Sequence, residues 1–219
     1  MTATTSVATH ERRPSRTPDW LVPVGLVLLS LVPVLAGSLR LTELASSPAV
    51  TPENARFVGM PIPVVIHIIS ATTYCLLGAF QFHAGIRRRH PRWHRISGRV
   101  LIPMGIAAAA SGLWMTTFYD LPAADGGLLP LVRWVFGVGM IASIVLGLAA
   151  VRRRDFSTHR AWMIRAYAIG LAAGTQVFTS VPWLLVVGEL DQTARTITMT
   201  AGWVLNLVVA EWFIRRLQR

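Results

Sequence analysis

The sequence predicts an all-α fold, a polytopic membrane helix bundle with six transmembrane helices. Three observations carry that reading. Hydrophobic residues fill 53% of the 219 positions and charged ones only 14%, too few to cover the surface of a soluble domain of this length. Several nearly uncharged apolar runs have the length of a bilayer crossing, about 20 residues. The basic residues, every one an arginine, gather at the ends of those runs instead of on one polar face. The net charge of +11 is therefore an orientation signal, and nucleic acid is not expected as a partner.

The elements follow in order. Residues 1–18, polar and rich in Ser, Thr and Arg, read as a disordered cytoplasmic tail, and 19–219 as one transmembrane domain. The first span, Trp20–Leu39, lacks a convincing small-residue cleavage site and reads as an uncleaved helix. The others are Ile62–Phe82, Gly98–Phe118, Leu129–Val151, Ala161–Val187 and Ile197–Ile214. Arg12, Arg13 and Arg16, then Arg87 to Arg99, Arg152 to Arg165, and Arg215, Arg216 and Arg219 fall on one side. The other side keeps only Arg40, Arg56, Arg133 and Arg195, among Glu43, Glu53, Asp120, Asp125, Glu189 and Asp191. The positive-inside rule then places both termini in the cytoplasm of a bacterial inner membrane. The segment Arg40 to Pro61 is too short for a domain but suits a small cap. Cys75 is the sole cysteine, which excludes a disulfide framework and a cysteine-based metal site.

Within the spans, Gly139, Ser143 and Gly147, and likewise Gly170 and Gly174, recur every four residues and allow close helix approach. Such faces would serve a dimer as well as one chain's own packing. Pro103 and Pro182 are expected to kink their helices. His67, Ser70, Tyr74, Gly78 and Gln81 form one polar stripe on the second span, which should face the bundle interior, whereas His83 points to the opposite side. Asn206 needs an interhelical partner. Glu211, four residues before Arg215, is expected to pair with it.

One pattern occurs twice. Arg87-Arg88-Arg89 leads to His94-Arg95, and Arg152-Arg153-Arg154 leads to His159-Arg160, with seven residues from first Arg to His in both. Spans two and three, and four and five, then read as a parallel repeat, with His94 and His159 at one cytoplasmic depth.

Several segments taken together resemble a bacterial family of multi-pass membrane proteins, domain of unknown function 2306. They are Phe80-Gln81-Phe82, Trp93-His94-Arg95 with Gly98-Arg99-Val100, His159-Arg160 with Trp162-Met163-Ile164-Arg165 and Tyr167-Ala168, and Asn206-Leu207 with Ala210-Glu211. The resemblance implies a small helical membrane domain, marks His94, Arg99, His159, Arg165, Asn206 and Glu211 as family-type positions, and implies no activity.

Three readings of the site stay open. In the first, a single b-type haem serves membrane electron transfer, with His94 and His159 as axial ligands and Arg99 and Arg165 beside the propionates. A haem held by His67 with Met115 or Met199 is its variant. In the second, the His-Arg pairs at helix starts bind or transport an anionic lipid or metabolite. In the third, the arginines set topology and meet acidic membrane lipids, and the protein is structural. His67, Tyr74, Gln81, Asn206 and Glu211 are the intramembrane polar candidates. No catalytic set or metal motif is recognised, and oligomeric state is not legible.

Overall fold

The computed structural model describes residues 19–218, and the tail expected over residues 1–18 lies outside them. In chain order the helices are α1 (Leu21–Ala45), α2 (Ala55–Gly59), α3 (Pro61–Ala79), α4 (Ala84–Arg89), α5 (Pro91–Phe118), α6 (Leu129–Arg152), α7 (Phe156–Gly170), α8 (Ala172–Val187) and α9 (Gln192–Gln218). Among the described residues every regular element is helical. Five of these helices are long and apolar enough to cross a membrane, and α7 with α8, bent by 43°, make the sixth.

Three helices start earlier than their apolar runs. Pro91 opens α5, where its missing N–H costs nothing. Asp155 caps α7 by accepting from the Thr158 amide at 3.0 Å. α9 begins at Gln192, with the Asp191 carboxylate accepting from the Ala194 amide at 2.7 Å. His94 and His159 are consequently inside helices, each the fourth residue of its own, each with its amide bonded to the carbonyl of the residue preceding that helix, His90 and Asp155. The two connections that deliver them differ. Phe80–Phe82, His83 and α4 intervene in the first, whereas Arg153, Arg154 and Asp155 alone make the second, with Arg154 at a φ of 63°.

The expected kink at Pro182 is not where the fifth span bends. Pro182 lies within continuous α8, and the break falls at Leu171. There the Tyr74 ring presses on Gly170, on which an added Cβ would come within 2.9 Å of it. The small-residue faces are spent inside the chain: Gly147 lies against Met163 and Trp162, and Gly174 against the Leu29 carbonyl of α1. The segment after α1 forms a cap as anticipated. Buried Asn54 ties it down by accepting from Thr51 N and donating to Ala49 O and Glu43 Oε1.

The termini of the described chain meet at the arginine-rich end. Asp19 lies 3.7 Å from Arg88, and Leu217 and Gln218 border Ser157 and Arg160.

Gly174 has no room for a side chain because a backbone carbonyl occupies it, whereas Gly25 on α1 has nothing within 4 Å. Gly174→Ala should therefore lower stability by about 1–3 kcal/mol, seen as a lower thermal unfolding midpoint in detergent. Gly25→Ala should not lower it.

Candidate functional site

At the end of the bundle away from the arginine triplets, the helices enclose a cavity of about 520 Å³. Residues from α1, α2, α3, α5, α6, α7, α8 and α9 line it. Its wall is mostly apolar, including Ile68, Leu113, Met115, Met140, Ile169 and Trp203. The lining stretch of α9, Arg195 to Trp203, corresponds to roughly 12 Å of helix rise, well short of a full crossing.

Its floor is a tyrosine. Tyr74, 5% exposed, fits between α5 and the end of α7 because both present glycine: a Cβ on Gly105 or Gly170 would come within 2.6 or 2.9 Å of the ring. Tyr167 lies behind it at 5.8 Å between ring centroids, and its hydroxyl donates to Cys75 O at 2.7 Å. The Tyr74 hydroxyl has no hydrogen-bond partner among the described residues.

His67 forms the wall two turns nearer the mouth. Its Nδ1 is 2.9 Å from Ala108 O, and a carbonyl only accepts, so Nδ1 carries the proton. Ser111 Oγ, 3.3 Å from the same nitrogen, gives its own hydrogen to Ala107 O at 2.6 Å. A neutral ring then has its lone pair on Nε2, which makes no bond among the described residues and is not sealed off from the cavity. Gly112 makes the approach possible, since a Cβ there would already sit 3.3 Å from the ring.

The mouth is charged. Asp125, 7% exposed, is held by Arg195 from α9 and by Arg133 from α6 at 3.0 Å. Burial pushes the Asp125 carboxyl upward, but its bonds to the two guanidiniums outweigh that and hold it below the usual carboxylate range. Arg133 also donates to the Met199 sulfur at 3.8 Å. Arg56 lines the same end, its guanidinium 4.5 Å from the Phe57 ring centroid. Three guanidiniums and one carboxylate give the lining an excess of two positive charges.

The family-type positions divide differently. His94, His159, Arg99 and Arg165 lie at the arginine-rich end, and none of them lines the cavity. His94 is within Coulombic reach of Arg87 and His159, and its buried Nδ1 has no partner among the described residues. His159 Nδ1 bonds Gly147 O at 2.9 Å. Arg99 is exposed. Arg165 grips Glu211 through two bonds of 2.5 and 3.0 Å and stacks over Trp162. Glu211 thus pairs across helices with Arg165 and not with Arg215 one turn along, because α7 packs against α9 there. Asn206 is fully used, accepting from Thr175 at 2.7 Å and donating to Ala168 O at 3.0 Å. Gln81 donates to Ser97 Oγ at 2.6 Å. Of the stripe, His67 and Tyr74 alone reach the cavity. His83 sits outside the stripe and caps α4 by accepting from the Ile86 amide at 3.0 Å.

The described residues give no support for a haem site. The large cavity lies at the end opposite His94 and His159. Within it, the Met199 sulfur is engaged by Arg133, and Met115 is one turn from the Gly112 against which the His67 ring rests.

The Asp125–Arg133–Arg195 cluster was not singled out in the sequence. Its signal was present, since Arg133 and Arg195 depart from the positive-inside pattern at the very starts of apolar runs. Asp125→Asn should cost roughly 3 kcal/mol by leaving two guanidiniums without their carboxylate. Because the folded carboxyl titrates below its unfolded value, its stabilisation is complete above the ordinary Asp value of about 4 and is lost as pH falls through the folded one. Thermal melts of the wild type should therefore drop on acidification below that point, and those of Asp125→Asn should lose this component.

No curated protein and no solved structure matches this chain. A family model described as a predicted membrane protein, DUF2306, matches residues 64–214, from the first cavity-lining turn of α3 to the arginine-rich end of α9. The chain belongs to that membrane-protein family.

Proposed function

We propose that the protein binds an amphipathic molecule with an anionic head, taken into the cavity from the outer face of a bacterial inner membrane. The observation that carries this reading is the cavity itself. About 520 Å³ of mostly apolar space is within the range of small-molecule sites, and its mouth has two more guanidiniums than carboxylates. A guanidinium placed at the edge of hydrocarbon recognises carboxylate or phosphate through paired N–H donors. The apolar wall takes the tail, and the Tyr74 floor stops it near mid-depth. Occupancy from one side suits a receptor or carrier of such a molecule better than a channel. The arginine excess at the other end supports the outward assignment of this one, and cytoplasmic termini with it.

Cys75 lines the cavity and is the chain's sole cysteine, so it reports occupancy without engineering. Decanoate should slow labelling of Cys75 by a small membrane-permeant thiol reagent, and decane and decanol should do so far less. Replacing Arg56 with Gln, which cuts the excess of two positive charges to one without touching the Asp125 cluster, should weaken decanoate protection about tenfold. Equal protection by all three compounds would reject an anionic head. A reporter enzyme active only outside the cytoplasm, fused after Arg219, should remain inactive.

A further inference from the structure

The cavity lining carries polar groups that the chain itself leaves unused, among them the Thr72 hydroxyl, His67 Nε2 and the Tyr74 hydroxyl. His67 Nε2 and the Tyr74 hydroxyl both belong to cavity-lining residues, and neither makes a hydrogen bond among the described residues. Several neighbouring polar side chains are committed: Ser70 donates to Ile66 O, Thr179 to Thr198 O, and Gln176 to Met199 O. At the arginine-rich end His94 Nδ1 is unpartnered too, away from the cavity. His67 and Tyr74 are seven residues apart on α3, two turns, hence on one face and about 10 Å apart along it. Their roles differ. With its Nδ1 proton given to Ala108 O, His67 offers only an acceptor. Tyr74 offers a hydroxyl that donates or accepts.

An unpartnered acceptor on a cavity-lining ring held by a carbonyl is complemented by a donor on the occupant. Leaving it bare beside hydrocarbon costs the desolvation of the nitrogen. Resting on the cavity reading above, we infer that the natural occupant is an acidic amphiphile that also carries a hydroxyl on its apolar part, read by His67 Nε2. The charged mouth holds the head, His67 selects the hydroxyl, and Tyr74 limits the length. The roughly 12 Å of lining favours a medium-length chain over the long acyl chains of bulk phospholipid.

The test uses the full-length protein in detergent and the protection of Cys75 as readout. The probes are decanoate, its positional monohydroxy isomers, and palmitate. At least one hydroxydecanoate should protect wild type at about threefold to tenfold lower concentration than decanoate, the worth of one good hydrogen bond. His67→Leu should erase that preference, each isomer being compared with decanoate on the same variant. Gly112→Ala, which crowds the ring without removing it, should reduce the preference if His67 is the reader, and keeps the result interpretable should the Leu variant fail to fold. Protection by decanoate with no preference for any isomer, or a preference that survives His67→Leu, overturns this inference alone. Failure of every carboxylate to protect overturns the cavity reading and this inference together. Stronger protection by palmitate than by decanoate overturns the length assignment.

Discussion

The architecture turns on one aromatic ring. Tyr74 is bulky, buried and placed where three helices converge, and it is accommodated because α5 and α7 each offer a glycine at its level, Gly105 and Gly170. The ring sets how closely α3, α5 and α7 approach. It presses on the last residue of α7, where the fifth span bends by 43°, and the bend redirects α8 toward α1. It also ends the cavity. A flat side chain packed against two backbones is rigid, since neither neighbour has a rotamer to yield. Spacing, bend and floor are thus consequences of a single contact.

Around that wedge the bundle follows the rule of the bilayer interior, in which each polar group finds a partner within the protein. Hydroxyls return to the carbonyl one turn back, as Ser30 does to Leu26 and Ser143 to Gly139. Amides cross between helices, with Gln176 reaching Met199 O and Asn206 joining Thr175 to Ala168 O. Buried charges form compact groups, Asp125 with two arginines at one end and Arg165 with Glu211 at the other. Exceptions to this economy are the free nitrogen of His67 and the free hydroxyl of Tyr74 at the cavity and the unpartnered His94 Nδ1 at the arginine-rich end.

The bundle, its span number and the inward face of the α3 stripe were legible, because lipid imposes long apolar runs and penalises outward polar groups. Helix starts were less so. Arginine and histidine continue α5 and α7 beyond the apolar runs, and hydropathy ends where the helix does not. The histidine doublet drew attention through repetition, and repetition reports a shared hairpin more readily than a site. The cavity was hidden for a geometric reason. It depends on which glycine faces which ring across helices far apart in sequence, as with Gly112 and His67 or Gly170 and Tyr74, and no local pattern encodes that pairing. The mouth cluster was split among a loop and the starts of two spans, so Asp125, Arg133 and Arg195 each looked ordinary alone.

α1 stands apart from this framework. It precedes the residues 64–214 shared with the family, supplies one cavity wall through Ser30, Pro33, Val34 and Gly37, and seats its backbone on Gly174. Gly174 is 145 residues downstream of Leu29, so at ribosomal speeds the first helix waits on the order of ten seconds for its seat to be made. During biogenesis α1 can meet α3 early, where Gly37 faces Ile68, but the cavity stays open along its other side until the fifth crossing has entered the bilayer. Closing that wall is a late step of assembly, when a lipid-like occupant can already be in place as the chain closes around it.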